Sequence, residues 1–348
     1  MKLLVDIEKK LRNFSLRVAF EADREVLSLL GASGCGKSMT LKCIAGIETP
    51  DRGRIVLGDI VLYDSEKRIN LPPQERHVGY LFQNYALFPH MTLAENIRFV
   101  IRGDKKKKEQ IVREEIARFS LDGLEDAYPV ALSGGQQQRA AFARMLATRP
   151  KLLMLDEPFS ALDSYLRWNL ERELKKIIED YGATALLVSH DRGEAYRLSD
   201  RIAVIEKGHI EAIRAKEELF QHPETLAATL LTGCKNISKA RKVNDGLLIA
   251  TDWGIELESE DIPDGLQYVA IRAHYFELAE EGASDAIPFR VEEVIEDTFS
   301  TILMLAAEKG VGTRSLVRWE FDKGEKTYGI GDIVPLRLPR EKMILLTR

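Results

Sequence analysis

Residues 31–38 read Gly31-Ala32-Ser33-Gly34-Cys35-Gly36-Lys37-Ser38, after the apolar run Val26–Leu30 and before Met39–Ala45, whose apolar positions recur at helical spacing until Gly46. A glycine-rich turn between strand and helix, closing on Lys-Ser, is a phosphate-binding loop in the context that such a loop requires. Glycines let backbone N–H groups converge on phosphate oxygens, and the helix amino terminus adds partial positive charge. Lys37 is expected to reach the β- and γ-phosphates and Ser38 to ligate Mg²⁺. Met39 offers only its backbone N–H. Cys35 reads as a small tolerated side chain with no redox role.

Two further segments complete this chemistry. Leu152-Leu153-Met154-Leu155-Asp156-Glu157 is an apolar strand ending in paired carboxylates. Asp156 at the strand end can hold Mg²⁺, while Glu157 can orient and deprotonate the water that attacks a γ-phosphate. Leu132-Ser133-Gly134-Gly135-Gln136 opens a helical pattern that continues through QQQRAAFARMLA. Read locally, Ser133 is a helix cap. Read chemically, this is a second anion-binding helix start without a lysine or catalytic acid of its own. Such a half-site is completed by two chains arranged head to tail, each presenting Ser133 and Gly135 to the phosphate held by the other's Lys37.

Around these motifs, short apolar strands at Val26–Leu30, Leu152–Leu155, Ala185–Val188 and Ile202–Ile205 alternate with helical stretches such as Gln110–Phe119, Gln136–Ala147 and Tyr165–Ile178. That alternation predicts a mainly parallel sheet covered on both faces, an α/β P-loop NTPase, with a helical subdomain over about 85–150. A further helical segment, Lys216–Leu231, follows. From about residue 243, period-two stretches (GLLIATDWGIELES, YVAIRAHYFELA, FRVEEVIED, STILMLAA, SLVRWEF, DIVPLRL, KMILL) predict a small all-β barrel or sandwich. Domains are therefore expected at 1–232 and 233–348.

The 348 residues suffice for two cores, and a formal charge of -5 gives no reason to expect nucleic acid as a partner. The basic run Lys105–Lys108 reads as a solvated helix start or loop. Three cysteines, Cys35, Cys43 and Cys234, fit neither a metal-ligand nor a disulfide pattern and indicate a reducing compartment. The charged start MKLLVDIEKK has no signal-peptide core, and no apolar run is long enough to span a bilayer.

The ordered motifs resemble the nucleotide-binding subunit of ABC transporters over most of residues 1–230. The resemblance implies further roles. Gln83, in YLFQNYALFP, matches the glutamine that contacts Mg²⁺ or water beside the permease contact. Ser133–Gln136 match the LSGGQ signature, Ser160–Asp163 the D-loop, and His190 the switch histidine that senses γ-phosphate. Met39 replaces the usual threonine, which removes one hydroxyl contact. Phe14 occupies the region of the adenine-stacking aromatic, but alternates as a core strand residue would.

QERHVGYLFQNYALFPHMTLAENI, SGGQQQRAAFARMLATRPKLLMLDEPFSALD and the appended β domain, similar to an OB-like TOBE module, resemble the importer branch, while GASGCGKSMTLKCIAGIETPDRGRIVLG, INLPPQERHVGYLFQ and GCKNISKA resemble molybdate importers in particular. The implied cofactors are ATP and Mg²⁺. The implied partners are a second copy or a second ABC ATPase, membrane permease subunits and, indirectly, a solute-binding protein. The chain would then lie on the cytoplasmic face of the membrane. Alternatives are a sugar importer motor, a soluble ABC ATPase of translation or DNA repair, and an oxyanion-sensing module.

Overall fold

The computed structural model describes the chain except residues 161–163, 281–282, 284, 309–314 and 325, and the side chains of 164–166. The chain divides into two compact units, Met1–Glu217 and Glu218–Arg348.

In the first unit the strands are β1 (Leu3–Lys10), β2 (Ser15–Ala22), β3 (Val26–Leu30), β4 (Arg52–Leu57), β5 (Ile60–Asp64), β6 (Ile69–Asn70), β7 (Val78–Leu81), β8 (Leu152–Asp156), β9 (Thr184–Ser189), β10 (Arg201–Glu206) and β11 (His209–Ala215). The helices are α1 (Lys37–Ala45), α2 (Leu93–Val100), α3 (Lys105–Arg118), α4 (Gly134–Leu146), α5 (Ser164–Tyr181) and α6 (Arg192–Leu198). The strands form one sheet in the order β6-β5-β4-β1-β2-β11-β10-β3-β9-β8-β7. β10, β3, β9, β8 and β7 run parallel, whereas β1, β2, β4, β5 and β6 form an antiparallel wing.

The buried parallel strands show why their sequences are mostly apolar. On β8, Leu153 and Leu155 enter one core with α2–α5, while Leu152 and Met154 enter another with α1. With both faces covered, large apolar side chains fill the middle of β8 and β9, and the buried polar groups Asp156, Thr184 and Ser189 stand at strand ends. Each such leucine contributes roughly 1.5–3 kcal/mol by leaving water.

Helix starts explain the boundaries of the helical region. Thr92 caps α2 in a capping box with Glu95, and Asp104 accepts from Lys107 N to begin α3. The lysine run thus forms the exposed first turn of α3, and a bidentate pair from Arg98 to Glu109 (2.7 and 3.1 Å) ties that helix to α2.

Arg76 organises the far end of α1. Its fully buried guanidinium donates to the carbonyls of Cys43 and Ile44 (both 2.8 Å), to Leu71 O (2.8 Å) and to Asn70 Oδ1 (2.7 Å). It therefore satisfies carbonyls that a helix end leaves unpaired and places positive charge at the negative end of the helix dipole. Replacing Arg76 by Met should cost about 3 kcal/mol through orphaned buried carbonyls. Thermal melting should show this as a fall of roughly 10 °C. An unchanged melting temperature would show that these bonds carry no net stability.

The second unit begins within α7 (Lys216–Gln221) and continues with α8 (Leu226–Leu231). The single helical segment expected over Lys216–Leu231 is thus two short helices. Pro223 lies in the break, and the Thr225 hydroxyl accepts from Ala228 N to start the second. The division between units falls ahead of the 232/233 boundary read from the sequence, because Leu226 N bonds Arg348 O and Arg272 bonds the carbonyls of Phe220 and Thr232.

Ten strands follow among the described residues: β12 (Asn236–Asn244), β13 (Leu247–Ala250), β14 (Ile255–Glu258), β15 (Tyr268–Ile271), β16 (Glu277–Leu278), β17 (Ile287–Glu296), β18 (Ser300–Ala307), β19 (Val317–Asp322), β20 (Ile333–Arg337) and β21 (Ile344–Leu346). They form two five-stranded sheets, β14-β13-β12-β15-β21 and β16-β20-β17-β18-β19. Leu248 and Val269 from one sheet and Phe289, Leu303 and Val334 from the other share one core, as in an OB-like β module. YVAIRAHYFELA is broken by a 3-10 turn at Ala273–Tyr275. β12, polar enough to escape a period-two reading, is central in its sheet and buries Asn236, Ser238 and Ala240.

Candidate active site

Because β3, β7, β8 and β9 run parallel, the chain leaves all four at one edge of the sheet. Gly31, Gln83, Glu157 and His190 follow those strands within two residues, so sheet polarity alone brings segments distant in sequence together.

The loop after β3 wraps the start of α1. Helices α2, α3, α4 and α6 are capped by side chains of Thr92, Asp104, Ser133 and Asp191, whereas α1 has Gly36 at its cap, no side-chain cap bond and no acid in its first turn. Its leading N–H groups are therefore left for an external anion. Gly36 has φ of 111°, and a Cβ there would lie 2.7 Å from Leu16 Cδ1, so glycine is required. A Cβ at Gly31 would meet Ile205 O at 2.3 Å. Lys37 is buried, with Nζ donating to Gly31 O (2.7 Å) and Ala32 O (3.0 Å), and its third donor, held only by a long bond to the Cys35 sulfur, is the one a phosphate can take. Cys35 Sγ lies 3.9 Å from the same ammonium. Burial pushes the Cys43 thiol up to about 11 and the Cys234 thiol upward, which keeps both inert.

Ser38 Oγ donates to Asp156 Oδ1 at 2.7 Å, and Tyr80 Oη donates to Asp156 Oδ2 at 2.8 Å. Burial, reinforced by the adjacent Asp156 charge, drives the Tyr80 phenol well above its ordinary range and keeps it a donor. Both oxygens of Asp156 are thereby held in place. Tyr80 escaped the sequence reading, since an aromatic on a short strand reads as core. The donor set suits Mg²⁺: a hydroxyl and a carboxylate oxygen in contact are hard ligands of the kind this ion takes.

Glu157 sits at φ of 47° immediately after β8, with its N–H on Val188 O (3.0 Å). Gln83 Nε2 donates to Glu157 Oε2 at 3.3 Å, and His190 Nδ1 lies 3.3 Å from the same oxygen. Ser133 caps α4 in a reciprocal box: its Oγ accepts from Gln136 N (3.3 Å), and its own N–H donates to Gln136 Oε1 (2.8 Å). The Ser133 hydroxyl proton stays available to an acceptor. Among the described residues no hydrogen bond links Ser133, Gly135 or Gln136 to the Lys37–Glu157 cluster, so the chain carries two separate anion-facing helix starts. Asp163 lies outside the described residues. Phe14 is half-buried, packed on the core beside α1, with its ring edge 3.6 Å from where a Cβ of Gly36 would stand.

An open sheet of this order, with a phosphate loop after β3 and acids at the end of β8, two strands away across β9, defines a P-loop nucleoside-triphosphatase. Comparison with known proteins narrows the class. Residues 12–160 match the ABC transporter family. The sulfate/thiosulfate import ATP-binding protein CysA of Halalkalibacterium halodurans is 38% identical over 279 residues, 78% of this chain and 76% of that protein. The spermidine/putrescine import ATP-binding protein PotA of Bacillus cereus is 37% identical over 336 residues, 92% of this chain and 98% of that protein. A dimeric post-hydrolysis structure of an ATP-binding cassette with ADP and Pi aligns at a TM-score of 0.53 and 29% identity, covering 62% of this chain and 99% of that one.

The chain belongs to the ATP-binding subunits of ABC transporters, of importer type. It is an ATPase, and no helix among the described residues is long and apolar enough to cross a membrane.

Proposed function

We propose that this subunit drives an oxyanion importer of the sulfate or molybdate kind, working as a head-to-tail dimer against a membrane permease on the cytoplasmic side. The observation that carries the motor reading is the convergence of Gln83 and His190 on Glu157, beside the Ser38–Asp156 pair. Residues 31–39 cradle the triphosphate, and Lys37 contacts its β- and γ-phosphates. Ser38, Asp156 and Gln83 hold Mg²⁺, which supplies charge neutralisation at the phosphates when bound. Glu157 takes a proton from the attacking water as its oxygen bonds the γ-phosphorus and the bridging P–O bond to ADP breaks. His190 steadies Glu157 and faces the γ-phosphate. Ser133 and Gly135 of the partner subunit close the site, with Gln136 shaping the cap and Asp163 lining the dimer contact.

The oxyanion assignment is supported by the likeness of GASGCGKSMTLKCIAGIETPDRGRIVLG to molybdate importers and by the CysA relative, which is named for sulfate and thiosulfate. A polyamine importer is the second reading, favoured because the likeness to PotA extends over 92% of the chain and so into the β unit. Uptake of labelled molybdate, sulfate and spermidine by cells lacking this chain separates the two. Oxyanion uptake should fall and spermidine uptake should persist; loss of spermidine uptake alone would overturn the oxyanion assignment.

A further inference from the structure

Two consecutive non-glycine residues beyond Gln83 adopt left-handed backbone: Tyr85 at φ of 59° and Ala86 at φ of 46°. Each such residue is disfavoured against glycine by about tenfold. The turn is also tight, with Tyr85 N on Phe82 O (2.9 Å) and Ala86 N on Asn84 O (2.6 Å). The Tyr85 hydroxyl is buried without a hydrogen-bond partner. Two short backbone bonds inside the turn are set against two left-handed residues and an orphaned hydroxyl, so the surroundings must help to hold it.

The Tyr85 ring packs into the core, and one side chain holds the two carbonyls of the turn. Arg144, in the last turn of α4, donates through Nη1 to Ala86 O (2.7 Å) and through Nη2 to Tyr85 O (2.9 Å). Its guanidinium lies over Phe88 at 5.2 Å and reaches Asn96 Oδ1 at 3.4 Å. Asn96 is itself fully buried and bonded to the backbone of Phe88, Met91 and Thr92. A planar fork matches two adjacent carbonyls, which an ammonium does not.

We propose that Arg144 is a positioning residue that clamps the Tyr85–Ala86 turn in its left-handed form, and so links the signature helix α4 to Gln83 and Glu157. This rests on the motor reading above. Ser133 starts the helix that ends near Arg144, so a displacement of α4 when phosphate engages Ser133 is delivered to the turn three residues beyond Gln83.

The full-length chain with Mg²⁺ and ATP tests this. Arg144→Gln should lower kcat about tenfold while the Kd for ATP, set by the loop at residues 31–39, stays within about twofold. Adding Ala86→Gly, which removes the left-handed penalty at Ala86, about tenfold, should restore most of that kcat. A residue that merely packs α4 would show no such rescue. Arg144→Lys, which keeps the charge without the fork, should be slowed and rescued in the same way and serves if the glutamine variant does not fold. Wild-type kcat in both single variants, or a double variant as slow as its Arg144 parent, would overturn the clamp. A wild-type chain that does not hydrolyse ATP would instead sink the motor reading.

Discussion

Glu157→Gln should lower kcat for ATP hydrolysis by about 100- to 10,000-fold, the range a positioned general base supplies. The change is isosteric and keeps an oxygen to accept from Gln83 Nε2, 3.3 Å from Glu157 Oε2 in the native site. What disappears is the capacity to take a proton from water. Nucleotide contacts through Lys37 and Ser38 are untouched, so ATP should still bind and close the dimer. With hydrolysis blocked, that dimer should persist. Size-exclusion chromatography of the variant with ATP should show a species of twice the protomer mass that native chain does not accumulate. Rapid turnover by the variant would remove Glu157 as the base.

Lys37→Ala should weaken ATP binding by roughly 30- to 150-fold, from about 2–3 kcal/mol lost with a charged hydrogen bond. The site magnifies this contact because the ammonium is buried, with its stem enclosed and two of its donors already fixed on Gly31 O and Ala32 O. A buried, pre-oriented cation loses little entropy on meeting phosphate. The carbonyls of Gly31 and Ala32 would also lose their donor, which loosens the loop itself. Titration with a fluorescent ATP analogue measures the effect, and native affinity in the variant would contradict the loop assignment.

Both predictions were reachable from the primary structure because their residues sit in contiguous motifs. Gly31–Ser38 is one turn between a strand and a helix, and Asp156-Glu157 closes one apolar strand, so the local pattern carries the chemistry. The C-terminal strands were legible for a similar reason: Phe289 and Val291 on β17 and Leu303, Leu305 and Ala307 on β18 alternate inward, although an irregularity between Val291 and Glu293 breaks the pattern further along β17. β12 was not legible, since its buried positions hold Asn236, Ser238 and Ala240 rather than large apolar groups. The break between α7 and α8 was signalled by Pro223, yet the apolar spacing on either side concealed it.

Arg76, Tyr80 and Arg144 belong to another category. Arg76 reaches Cys43 O across 33 residues, Tyr80 reaches Asp156 across 76, and Arg144 reaches Ala86 across 58. Each looks unremarkable in its own neighbourhood: an arginine after a 3-10 turn, a tyrosine on a strand, an arginine on a helix.

By itself the primary structure determined the phosphate loop, the strand-end carboxylates, the signature helix start and an α/β unit followed by a β unit, because helical and strand periodicities and turn chemistry act between residues only a few positions apart. Only the tertiary structure decided which side chains support those motifs: Tyr80 on Asp156, Arg76 on the end of α1, and Arg144 on the turn after Gln83. Such partners meet through the order and polarity of strands in a sheet, and side-chain hydrogen bonds over tens of residues leave no periodic trace along the chain.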